Sequence, residues 1–93
     1  MTKSIISNEQ RCYLCGRQIN LERHHIMAGT ANRKLSEKYG LWVYLCHDCH
    51  TGTEGAQYNS GAGIKLKQIA QTAFESKHSH EEWMELFRKN YLD

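Results

Sequence analysis

Apolar positions along the chain fall into four short patterns separated by polar stretches. From Gln18 to Ile26 they alternate, with Ile19, Leu21, Arg23 and His25 on one face. Asn20, Glu22, His24 and Ile26 take the other, the period of a strand. Leu41-Trp-Val-Tyr-Leu45 is the most apolar run, and its length and its β-branched and aromatic content predict a second strand. Leu66, Ile69, Ala70, Ala73 and Phe74 form a stripe at helical spacing. Ser79 with Glu82 makes a capping box and opens a last helix, with Trp83, Leu86, Phe87 and Tyr91 along one side. Both stripes are expected to pack as a core or a lid. Ala28 to Tyr39 is polar and basic and reads as a loop, with one short helical turn near Ser36 stopped by Gly40. The glycine-rich stretch from Thr51 to Gly63 reads as loop, and residues 1–10 read as a loose lead-in.

Ninety-three residues make one domain, and a chain this short buries only roughly 60–65% of its unfolded surface. A fastener would therefore matter, and the cysteines supply a candidate. Cys12-Tyr-Leu-Cys15 and Cys46-His-Asp-Cys49 are two Cys-x-x-Cys knuckles thirty residues apart, the spacing of a four-thiolate zinc site. Such a site has no open coordination position, so its ion is structural. No apolar run is long enough to span a membrane, and no signal-peptide pattern opens the chain. The expected location is cytoplasmic, where cysteines hold metal more often than disulfides.

Net charge is +2, which alone decides nothing. Residues 11–38 carry Arg11, Arg17, Arg23, Arg33, Lys34 and Lys38 against Glu22 and Glu37, a local +4. Basic charge thus gathers around the knuckles, as a phosphate-backbone partner requires. Arg23, Arg33, Lys34 and Lys38 are the candidate phosphate contacts. Three histidines remain. His24 and His25 are neighbours on a strand and point to opposite faces unless a bend intervenes. His50 follows Cys49 and is expected on the first turn of a short helix. Closing the cysteine site draws His50 back toward His24 and His25, so the three imidazoles are expected to converge within a metal-ligand radius.

The order Cys-x-x-Cys, His-His-Ile, then an apolar strand ending Leu-Cys-x-x-Cys-His resembles the HNH endonucleases of the ββα-metal fold. Small phage and prophage members are similar through His24–Ile26, Asn32–Lys34, Ser36–Cys46 and Phe87–Leu92. The resemblance covers about residues 12–92. It implies an α+β fold with a small zinc-stabilised ββα-metal core over 12–58 and two C-terminal helices over 63–93. It also implies a metal-dependent DNA endonuclease or nickase working in a bacterial host cell. Carried over, His25 takes the general-base position. His24 and His50 hold a catalytic divalent ion, which is Mg2+, Mn2+, Ni2+ or Zn2+. DNA is the implied partner, with weak sequence preference, alongside a phage recombination or packaging protein. The chain departs from the family pattern at Leu41, where the middle Asn belongs, and at Gln57, where a further histidine is common. Glu54, four residues after His50, supplies a carboxylate ligand only if that turn is helical, and otherwise reads as a solvated loop charge. The alternative reading is an HNH-like zinc module that binds DNA or protein without catalysis. A Cys-x-x-Cys redox protein is disfavoured because no thioredoxin-like βαβ pattern accompanies the two motifs.

Overall fold

The computed structural model describes residues 3–27, 30–51 and 60–92. The fold is α+β. Strand β1 (Leu21–His25) pairs antiparallel with β2 (Trp42–Cys46), in a register running from Leu21 opposite Cys46 to His25 opposite Trp42. Helix α1 (Thr30–Tyr39) connects the strands, α2 (His47–Thr51) follows β2, and α3 (Ser60–Glu75) and α4 (His80–Phe87) end the chain. Both expected strands are present. Val43 and Leu45 are fully buried, and Leu41, Ile26, Met27, Leu66, Ala70, Phe74, Trp83 and Phe87 join them in one core. The two C-terminal stripes are therefore buried faces. Helix α3 begins three residues before the expected start.

The segment expected to be a loop before Tyr39 is helical from Thr30 onward. Its polar composition concealed a narrow inward stripe. Leu35 and Tyr39, four apart, pack against the core while Ser36 between them is fully buried. The Ser36 hydroxyl accepts from the Met27 amide (3.1 Å) and donates to the Met27 carbonyl (3.2 Å), fixing the helix to the end of β1. Gly40 then ends the helix at φ 71°. The Leu41 amide donates back to the Ser36 carbonyl at 2.7 Å, the long bond of a Schellman stop.

The lead-in is tied down at Ser4 and Ile5. Ser4 is buried and donates to the Trp42 carbonyl at 2.6 Å, and the Ile5 amide donates to the Gly40 carbonyl at 2.9 Å. Gly40 is thus held from two sides. A Cβ there would collide with the Lys3 carbonyl oxygen and crowd the Ile5 nitrogen at 3.0 Å.

Helices α3 and α4 meet through an aromatic cluster, with Phe74 and Trp83 ring centres 5.6 Å apart and Trp83 and Phe87 4.4 Å apart. Ser79 caps α4 as expected, accepting from the Glu82 amide at 3.1 Å. Arg88, at φ 62°, ends the helix, so Tyr91 lies beyond it yet still meets Trp83 edge-on. Gln71 is fully buried. Its amide donates to Glu75 (2.7 Å) and Asn90 (2.8 Å) and its oxygen accepts from the Tyr91 amide (2.7 Å), which holds the C-terminal turn on α3.

Two outcomes are expected. Gly40→Ala forces a side chain into positive φ against the lead-in and should destabilise the fold by about 1–3 kcal/mol. An unchanged thermal midpoint would contradict the packing described. The second concerns Glu75, whose carboxyl is held below its ordinary range by the Gln71 amide, with a further contribution from His80 and some opposition from burial. A depressed carboxylate contributes stability above its unfolded pKa of about 4.3 and loses it as pH falls through the folded value. The stability gap between wild type and Glu75→Gln, read by urea melts, should therefore be full at pH 6 and shrink below about pH 4. A gap that grows on acidification would have the wrong sign.

Candidate functional site

Four sulfurs lie at one end of the sheet. The first knuckle is a tight turn: the Gly16 amide donates to the Cys12 carbonyl (2.8 Å) and the Cys12 amide to the Arg17 carbonyl (2.7 Å). The Tyr13 amide donates to the Tyr44 carbonyl at 2.8 Å, tying the turn to β2. The second knuckle spans the end of β2 and the first residues of α2. Its helix is held to the other strand by the His47 amide donating to the Asn20 carbonyl at 3.0 Å. Ligand atoms of Cys12, Cys15, Cys46 and Cys49 all lie within 4.8 Å of one another, and Cys15 and Cys46 Sγ are 3.7 Å apart. That gap is far too long for a disulfide. It matches the edge of a thiolate tetrahedron around zinc, about 3.8 Å for Zn–S bonds of about 2.3 Å.

Electrostatics support the fit. Burial opposes ionisation of Cys12, but backbone amides of Cys46, Cys15 and Leu14 outweigh it and bring the thiol down to about 6. Cys49 is pushed up, first by burial and then by the sulfurs of Cys12, Cys46 and Cys15. Cys15 is also raised: the Arg17 backbone favours its thiolate, but the Cys12 thiol and burial prevail. One anion suppresses the next in so small a volume, and a divalent cation among the sulfurs removes that conflict. Arg17, paired with Asp48 at 2.9 Å, adds positive charge beside Cys46 and Cys15.

Beside this centre, α2 carries His50 to β1. The His24 and His50 rings meet edge-on with centres 5.0 Å apart. Burial first, then the charges of His50, His25 and Lys67, lower His24 to about 4. It is therefore neutral at physiological pH with a lone pair to offer. His50 Nδ1 donates to Glu22 Oε1 at 2.8 Å, and His47 Nδ1 donates to the other Glu22 oxygen at 3.0 Å. Those two bonds, His47 first, hold Glu22 below the usual carboxylate range despite some burial. With Nδ1 committed, His50 presents Nε2 as the free nitrogen, the carboxylate–histidine arrangement that orients metal-binding imidazoles.

His25 goes elsewhere, which corrects the expectation of three converging rings. Its Nε2 donates to Glu37 Oε2 at 2.8 Å, on the sheet face opposite His24. The strand keeps its alternation, with no bend to bring the neighbours together. Among the described residues, the four cysteines alone form a group of three or more metal-ligating side chains. Arg23 donates to Glu37 Oε1 at 2.6 Å and its guanidinium lies over the Trp42 ring, 3.8 Å from its centre, so it is engaged within the fold. Arg33, Lys34 and Lys38 are exposed on α1, with Lys38 lying 5.4 Å over the Tyr39 ring. Leu41 is a core residue, and Glu54 and Gln57 lie outside the described residues.

Sequence reasoning passed over Glu22, Glu37 and His47. Glu22 was within reach, because it sits two residues before His24 on an alternating strand and so shares its face. Glu37 was hidden while its segment read as loop.

If the sulfurs are a metal centre, the purified chain carries one zinc, and a strong chelator should melt the sheet along with removing the ion. A chelated chain with an unchanged thermal midpoint would mean that the ion fastens nothing. Compared with known proteins, the chain matches no family model, and no curated protein or solved structure is found similar to it.

Proposed function

We propose that the chain is a metal-dependent DNA phosphodiesterase of the HNH, ββα-metal kind, cutting or nicking DNA. The observation that carries this reading is the His24–His50 pair: a neutral, half-buried imidazole against a second one whose free nitrogen is set by Glu22. Two imidazoles with room for further ligands suit manganese, nickel or zinc better than magnesium. An ion held there supplies Lewis-acid charge to the scissile phosphate and the departing oxygen.

The protein's own part is position and proton transfer. His25 ends β1, which among the described residues pairs with β2 alone and leaves its outer side open. A phosphate lying across the edge meets the histidine pair from one face and His25 from the other. His25, with Nε2 committed to Glu37, keeps Nδ1 as a proton acceptor. It takes a proton from water, the hydroxide oxygen bonds phosphorus, the P–O3′ bond breaks, and the 3′ oxygen is protonated from solvent. Arg33, Lys34 and Lys38 offer cations to neighbouring phosphates from one exposed side of α1.

One observation favours a second reading. The separation of His25 from the histidine pair suits a noncatalytic zinc module that binds DNA. Plasmid nicking with manganese separates the two. Under the nuclease reading, wild type nicks, His25→Ala loses about 10²-fold or more in rate, and His50→Ala loses metal-dependent activity. All three should bind DNA alike. Retained binding with no nicking by any of them would leave the binding module.

A further inference from the structure

The geometry points to Glu37 as the residue that positions His25, through a three-membered chain running Arg23–Glu37–His25 across the face of the sheet opposite the histidine pair. This inference rests on the nuclease reading and adds a positioning residue that no motif supplied.

Three observations carry it. The carboxylate is clamped at both oxygens, one accepting from His25 Nε2 at 2.8 Å and the other from Arg23 at 2.6 Å. The clamp is itself backed, because the Arg23 guanidinium lies over the Trp42 ring, 3.8 Å from its centre, and Trp42 is almost completely buried. And the helix delivering Glu37 is locked one residue away. Ser36 bridges both backbone groups of Met27, and its carbonyl takes the stop bond from Leu41. The carboxylate thus stands where it can fix the ring plane and leave Nδ1 as the bare nitrogen, the service a buried carboxylate gives a base histidine in hydrolytic triads. The side chains are mostly shielded: 17% of His25, 20% of Arg23 and 33% of Glu37 is exposed. Bonds this sheltered hold their geometry better than exposed ion pairs do.

A purely structural salt bridge would show the same contacts, so the test must read chemistry separately from fold. Single-turnover plasmid nicking with saturating manganese is compared for wild type, His25→Ala, Glu37→Gln and the double variant. DNA affinity, zinc content and thermal midpoint are measured on each. Glu37→Gln should lower the cleavage rate by about 10²-fold with DNA affinity and zinc content unchanged. In the His25→Ala background it should cost nothing further, because a residue that acts only through His25 has nothing left to position. Glu37→Ala, which puts a strong helix former into α1, carries the same expectation should the amide variant fold poorly. If His25→Ala is inactive while Glu37→Gln cuts at the wild-type rate, this inference is wrong and the nuclease reading stands. Additive losses in the double variant would likewise overturn it. If wild type and His25→Ala behave alike, the nuclease reading fails and takes this inference with it.

Discussion

Mutual repulsion among four sulfurs is the constraint from which the rest of the molecule follows. Cys12 is disposed to ionise near neutral pH, while Cys15 and Cys49 are driven the other way by burial and by the sulfurs around them. A cation at the centre turns that repulsion into attraction and makes the cluster a clasp between turns thirty residues apart in the chain. Closing it fixes α2 on the strands, and α2 carries His50. The contact between His50 and His24 is thus a consequence of where the cysteines meet, and Glu22 adds the final adjustment by choosing which nitrogen of His50 is free.

The two-stranded sheet sorts the remaining chemistry. Alternation along β1 sends Glu22 and His24 to the face that carries Val43 and Leu45, where α2 closes over them. It sends Arg23 and His25 to the face of Trp42 and Tyr44, where α1 supplies Glu37. Each face therefore holds a histidine bonded to a carboxylate, His50 to Glu22 and His25 to Glu37. Because both carboxylates are ionised and paired with imidazoles or guanidinium, basic side chains that look available in the sequence are partly consumed internally. Arg33, Lys34 and Lys38 stay exposed on α1.

Much of this was legible before any coordinates. Strand periods, the Ser79 cap and the apolar stripes of the last two helices rest on local pattern, and local pattern is what sequence displays. Cys-x-x-Cys spacing foretold the four-sulfur cluster for the same reason. Alternation also implied that His24 and His25 diverge, and the structure sides with that rule over the idea of a converging trio. What sequence hid were features set by tertiary contact. Helix α1 looks like loop because its inward stripe is only Leu35, Ser36 and Tyr39, one of them polar and satisfied solely by Met27 across a turn. Reading it as loop also removed Glu37 from view and left Arg23 looking free. The lead-in was illegible for a similar reason, since its anchors are the Ser4 hydroxyl bonded to Trp42, 38 positions away, and the Ile5 amide bonded to Gly40.

Sulfur and nitrogen fall into two separate clusters: the four cysteines can hold a fastening ion by themselves, and the His24–His50 pair lies beside them. X-ray absorption at the zinc edge, on protein loaded with one equivalent, addresses that division directly. It should return four sulfur neighbours at about 2.3 Å and no imidazole scattering. A mixed shell with nitrogen at about 2.0–2.1 Å would mean that a histidine completes the clasp, and the site built beside it would have to be abandoned.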